Sequence, residues 1–209
     1  VFLESIRERS NITKNEEVSY SREWFAFGDA YRADQILKWI YTRQTDSFDR
    51  MTDLSQDLRA RLADQFTIDR LTTEHIATSK DGTRKYVFEL KDGKRIESVL
   101  IPERDHYTLC ISSQVGCTLN CTFCHTGTQK LVRNLTAAEI VGQVMLARDD
   151  LGEWPEPGKG TGETGPRLLS NIVLMGMGEP LYNFENVRDA MKIAMDDQGI
   201  SLSRRRITL

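Results

Sequence analysis

From residue 107 onward the chain alternates short apolar runs with longer amphipathic ones, and that alternation restricts its folds more than any other feature. "TLCISS" reads as a first strand, and "LLSNIVLMG" as a second whose continuous apolar character suits a buried parallel strand. "RRRITL" begins a third. Between them, "TAAEIVGQVMLARDD" and "NFENVRDAMKIAMDD" read as helices, the former with Thr136 and Glu139 at capping-box spacing. Repeating β-α units imply a parallel sheet or barrel, with chemistry gathered at the C-terminal ends of the strands. Two segments fall at such ends, a cysteine-rich loop after the first strand and "MGMGEP" after the second. The expected fold class is therefore α/β, a partial (β/α) barrel.

What precedes the barrel has a different period. Residues 21 to 66 carry three amphipathic stretches. "SREWFAFG" starts at Ser21 as an N-cap and stops at Gly28. "RADQILKWIYTRQ" sets Ile36, Leu37, Ile40 and Tyr41 on one side, and "DLSQDLRARLADQF" does the same with Leu54, Leu58, Leu62 and Phe66. From residue 74 the period falls to two, with Asp81-Gly82 and Asp92-Gly93 as hairpin turns in a β-meander. There Ile96, Ser98 and Leu100 share one face, while Glu97, Val99 and Ile101 share the other. The expected organisation is a helical domain over 1–72, a meander linker over 73–105 and the first part of a barrel over 106–209. A loop rich in Gly, Pro and Glu, residues 152 to 167, interrupts the β-α series.

The net charge is −3, from 28 basic and 31 acidic residues, so no global basic field advertises a nucleic-acid partner, although a local patch is compatible with it. No run approaches the length of a membrane span, and "VFLESIRERS" lacks the apolar core of a signal peptide. The chain reads as cytoplasmic, with its cysteines kept as thiols. Its first residue is Val and its last six stop inside a strand-like run, so it also reads as a segment of something longer.

"CTLNCTFCH", residues 117 to 125, admits three chemistries. Its end, C-x-x-C-H, is the attachment pattern of a c-type haem, which usually needs an exported protein. A structural zinc site would draw on Cys110, Cys117, Cys121 and Cys124, yet three of these are bunched and the fourth lies inside a strand. A redox C-x-x-C pair leaves Cys117 unexplained. A cubane iron–sulfur cluster uses Cys117, Cys121 and Cys124 and leaves one iron without a protein ligand, as an open catalytic metal requires. The cluster reading explains the most residues.

C-x-x-x-C-x-x-C with Phe123 before its last cysteine, following the first strand of a β-α series, resembles the radical S-adenosylmethionine enzymes. More closely, "CISSQVGCTLNCTFCHTG", "RNLTAAEIVGQV", "NIVLMGMGEPLYNFENV" and "LSRRRITL" resemble the bacterial RNA adenine-C2 methyltransferases of that superfamily. "YRADQILKWIY" resembles their accessory RNA-binding domain, so the likeness runs from about residue 20 to the last residue. The resemblance implies a radical S-adenosylmethionine barrel holding a 4Fe–4S cluster on Cys117, Cys121 and Cys124. It also implies S-adenosylmethionine bound beside Gly178 and Glu179, the latter accepting a hydrogen bond from the ammonium. It implies methylation of C2 of an adenosine in large-subunit ribosomal RNA and of the adenosine next to the anticodon in some transfer RNAs. An electron donor such as flavodoxin, a monomeric state and no membrane partner go with that assignment.

The implied route uses two molecules of S-adenosylmethionine. One methylates a cysteine near the enzyme's C-terminus, and the other yields a radical that takes hydrogen from that methyl group. A covalent protein–RNA adduct follows. Cys110 matches the second cysteine, which resolves the adduct through a transient disulfide, and Glu97 matches the proton acceptor. No cysteine follows Cys124, so the methyl-carrying one is expected beyond Leu209. The sequence departs from the family pattern at His125, at "QKL" over 129–131 and in the length of the 152–167 loop. The alternatives are a related adenine-C8 methyltransferase and a non-enzymatic RNA-binding protein with a four-cysteine metal site.

Overall fold

A computed structural model describes residues 12–14, 30–153, 167–197 and 199–209. The helical stretch expected over 21–28 and most of the 152–167 loop lie outside these residues. Helix α1, Ala30–Tyr41, buries Ile36, Leu37, Ile40 and Tyr41, the stripe its 3.6-residue period requires. A 3-10 turn at Phe48–Arg50 leads to α2, Gln56–Gln65, capped by the Ser55 hydroxyl accepting from the Leu58 amide. Leu54, Leu58, Leu62 and Phe66 are all buried, but α2 supplies only the middle two. Phe66 opens strand β2, Phe66–Ile68, which pairs antiparallel with β1, Ile12–Lys14. The helical run expected through Phe66 therefore stops at Gln65, where pairing with a distant strand takes over the backbone.

Four strands form the meander: β3 (Thr72–Thr78), β4 (Arg84–Glu89), β5 (Arg95–Pro102) and β6 (Tyr107–Cys110), each antiparallel to the next. Its first two turns fall at the Asp-Gly pairs, where the Asp81 and Asp92 carboxylates accept from the amides two residues on. The small pair β7 (Gln114–Val115) and β8 (Arg133–Asn134) follows, then helix α3, Ala137–Leu151, with both halves of the Thr136–Glu139 capping box formed. Such a cap contributes about 1 kcal/mol. Strand β9, Leu169–Val173, runs parallel to β6; after helix α4, Phe184–Met195, strand β10, Ile207–Thr208, runs parallel to β9. Arg204–Arg206 form a 3-10 turn rather than strand, closed by the Arg206 amide on the Ser203 carbonyl, so the third barrel strand is shorter than "RRRITL" suggested.

The meander and the parallel strands share one six-stranded sheet, in the order β10-β9-β6-β5-β4-β3, with β6 antiparallel to β5 on one side and parallel to β9 on the other, while β1–β2 and β7–β8 stand apart as two-stranded pairs. Its two faces differ. Tyr86, Phe88, Ile96, Ser98, Leu100, Leu109 and Ile172 alternate onto a fully buried face, against which α3 lies and beside which α4 packs. Burying each large apolar side chain there stabilises by roughly 1.5–3 kcal/mol. Tyr86 keeps its hydroxyl satisfied by donating to Asp150 at 2.6 Å, and burial raises its pKa. Lys85, Val87, Glu97, Val99, Thr108, Cys110, Asn171 and Val173 alternate onto the opposite face, which stays partly open. Among the described residues no helix is long and apolar enough to cross a membrane.

Candidate active site at the strand ends

Strand β6 ends at Cys110, and the next residues are locked from both sides. The buried amide of Gln143, on α3, accepts from the Ser98 hydroxyl at 2.6 Å and from the Ser112 amide at 2.8 Å. It donates to the Ser112 carbonyl at 2.9 Å and, more weakly, to the Glu139 carbonyl at 3.2 Å. The Ser112 hydroxyl donates to the Glu97 carbonyl at 2.6 Å and accepts from the Met177 amide at 2.9 Å. The start of the cysteine loop, the strand bearing Glu97 and the "MGMGEP" segment are thus fastened to one serine.

Beyond Ser113 the chain enters the β7–β8 ribbon, and the residues between these strands form the cysteine loop. Arg133 at its exit is clamped by both oxygens of Glu139 and by Asp92, each at 2.8 Å, and these carboxylates raise the guanidinium pKa. Within the loop the Leu119 amide donates to Cys117 Sγ at 3.3 Å, and the Cys124 amide donates to the Cys121 carbonyl at 3.2 Å. Gly127 rests on the Cys121 backbone so closely that a Cβ would lie 2.7 Å from its carbonyl oxygen. The Gly127 N–H, aided by Thr126, holds the Cys124 thiol below its usual pKa. Phe123 stands almost fully exposed.

The second segment docks onto the first. Gly178 has φ +93°, and a Cβ there would meet Gln114 Cβ at 2.5 Å, so only glycine fits. Gln114 is itself buried. Its Oε1 accepts from the Glu179 amide at 3.0 Å, while its Nε2 donates to Asn134 at 2.8 Å and to Thr118 at 3.1 Å. Thr118 sits between Cys117 and Cys121, so one amide side chain joins the glycine-rich segment to the cysteine loop. The Glu179 carboxylate caps the short turn Pro180–Asn183 by accepting from the Leu181 amide at 3.3 Å. Asn183, also buried, donates to the Ser113 and Leu135 carbonyls at 2.8 Å each.

The anticipated residues therefore fall into two groups. Cys117, Cys121, Cys124, Gly178 and Glu179 gather at the C-terminal strand ends. Glu97 and Cys110 lie on the open face of adjacent strands, Cys110 directly opposite Val99 and Glu97 two residues from it. Glu97 is not enclosed by apolar neighbours alone: its Oε1 is 2.7 Å from Lys85 Nζ, with both side chains nearly half exposed. Burial pushes the Cys110 thiol up in pKa, against a smaller opposite effect of the Met175 backbone. All four cysteines are free thiols. Among the described residues no three His, Cys, Asp or Glu side chains converge into a ready metal site, so the loop gathers its thiols in sequence without drawing them onto one point. Gln114 and Gln143 carry the geometry and were not anticipated; the polar run "SSQ" at the end of an apolar strand was the available signal.

The sheet, the strand-end loop and the glycine-rich segment define the class, the first part of a radical S-adenosylmethionine barrel. In agreement, a radical SAM methyltransferase from Sphaerobacter thermophilus of known crystal structure superposes with a TM-score of 0.73 at 40% identity, over 89% of this chain and 52% of that one. The particular relatives are named dual-specificity RNA methyltransferase RlmN. The chain is 67% identical over 178 residues to that of Ruegeria pomeroyi and 65% identical over 180 residues to that of Dinoroseobacter shibae. Each match covers 85% of this chain and 45% of the relative, so the chain spans about half the length of the curated relatives it matches. Residues 23–68 match the family described as ribosomal RNA large subunit methyltransferase N-terminal domain. The resemblance read from the motifs holds: over this span the chain is homologous to the RlmN methyltransferases.

Proposed function

We propose that the protein carrying this chain methylates C2 of adenosine in large-subunit ribosomal RNA and in transfer RNA next to the anticodon. The observation that carries this reading is the Gln114 junction, which fixes a three-cysteine loop and a glycine-rich segment side by side at the ends of parallel strands. The donor set suits a 4Fe–4S cluster: three thiols on one loop, with backbone N–H groups directed at Cys117 and Cys124 to support thiolate charge. With Cys117, Cys121 and Cys124 as ligands, one iron remains for the amino acid end of S-adenosylmethionine. When bound, the pair supplies one-electron reductive chemistry able to remove hydrogen from an unactivated methyl group.

The chain's own residues do the rest. Gly178 lets the backbone turn tightly against Gln114 and so sets the segment beside which the cofactor would lie, and Glu179 offers a carboxylate to its ammonium. Glu97 accepts the proton that leaves the base. Cys110, on the same face, is the thiol that resolves the protein–RNA adduct. Residues 1–72 serve as the accessory RNA-binding domain, 73–105 join it to the barrel, and 106–209 begin the barrel. The protein works as a monomer in the cytoplasm, with a flavodoxin-like electron donor.

Deleting the gene that encodes this chain is expected to remove 2-methyladenosine from digested ribosomal and transfer RNA, as read by mass spectrometry. Unchanged 2-methyladenosine overturns the reading, and loss of 8-methyladenosine instead moves the assignment to the adenine-C8 enzyme.

A further inference from the structure

We propose that Lys85 is a positioning residue for Glu97, holding that carboxylate in place on the face it shares with Cys110; this rests on the function proposed above. In the β4–β5 register Lys85 faces Val99 and Glu97 faces Val87, so the 2.7 Å ion pair crosses the two strands diagonally. Neither partner is buried, and an ion pair this exposed contributes little to stability. Stability therefore does not account for it. Among the described residues of β4 and β5, the other cation beside Glu97 on that face, Arg95, is already engaged by Glu74 through two hydrogen bonds of 2.5 and 2.9 Å. Lys85 is thus the cation that meets Glu97.

The neighbours explain why an anchor is needed. Along the face from Glu97 come Val99, then Cys110 opposite it, then Val173 opposite Cys110. None of these side chains can accept or donate a strong hydrogen bond to fix a carboxylate. A glutamate on such a wall has several rotamers, and proton transfer requires one of them. The ammonium, reaching across from the next strand, selects it.

The test uses the full-length enzyme with its cluster reconstituted, comparing Lys85→Met, Lys85→Arg, Glu97→Gln and the Lys85→Met/Glu97→Gln double variant. Lys85→Met is expected to lower kcat for 2-methyladenosine formation on the order of tenfold. KM for RNA, iron content and Tm should stay as in the wild type. Lys85→Arg should restore most of the rate. The double variant should be no slower than Glu97→Gln alone, because the lysine acts only through the glutamate. A wild-type rate in Lys85→Met, or additive losses in the double variant, overturns the inference while leaving the methylation reading intact. No product from the wild type overturns the reading instead.

A second readout needs no activity. In lysine acylation mapped by mass spectrometry on the chain itself, Lys85 should react more slowly than the exposed Lys80, and Glu97→Gln should speed it selectively. Equal labelling of Lys85 with and without Glu97 overturns the pairing on which the inference stands.

Discussion

Replacing Cys121 by alanine is expected to remove essentially all iron and sulfide from the anaerobically reconstituted protein, together with its visible absorbance. Three thiolates bind three of the four irons and leave one open, whereas two would leave half the cubane without a protein ligand. Cys121 is also held by the backbone around it, with the Cys124 amide on its carbonyl and Gly127 pressed against it. Cys110→Ala is the informative control. It lies on β6, outside the loop, and its removal should leave the iron content unchanged. A Cys121→Ala protein with a full complement of iron and sulfide would sink the three-cysteine assignment. Loss of iron in Cys110→Ala would favour a four-cysteine site.

Gln143→Leu should destabilise the protein by about 3 kcal/mol. The change keeps a buried side chain of similar size but strands the Ser98 hydroxyl and both backbone groups of Ser112 without the partners they now have. Each unsatisfied buried group costs about 1–3 kcal/mol, and the gain from burying leucine offsets part of the sum. For a chain of this size that is a fall of roughly 10 °C in Tm. The measurement is thermal unfolding followed by circular dichroism. A midpoint within about 2 °C of the wild type would mean that these groups find other partners and that the hub is not structural.

Periodic features were legible in the sequence because a single rule generates each of them. The stripe Ile36, Leu37, Ile40 and Tyr41 follows from helical geometry, the two Asp-Gly turns from their backbone chemistry, and the Thr136 cap from its spacing to Glu139. The cysteine loop and "MGMGEP" were legible as strand-end segments for the same reason. What escaped depends on pairing between distant residues. Nothing local announces that Phe66 belongs to a strand paired with Ile12–Lys14, or that Arg204–Arg206 coil before β10 begins. Gln114 and Gln143 have no period at all; their importance lies in which carbonyls and amides surround them after folding. The Lys85–Glu97 pair likewise exists only through the β4–β5 register, and it changes Glu97 from a carboxylate among apolar side chains to one with a counter-ion.

The change of strand direction at β6 also sets an order of events during folding. Hairpins β3–β4, β4–β5 and β5–β6 each close over a few residues, whereas pairing β6 with β9 must close the whole stretch from 111 to 168. Loop closure of that length has an entropic cost that is recovered only once a template is present. The meander is expected to form early and to offer β6 as a ready edge, on which the parallel strands then add one at a time. Phe88→Leu in the hairpin should accordingly slow refolding in a chevron measurement, while Ile172→Val in β9 should mainly speed unfolding. The wall bearing Glu97 and Cys110 is then half built, with its register set, before the strand that leads into the glycine-rich segment arrives.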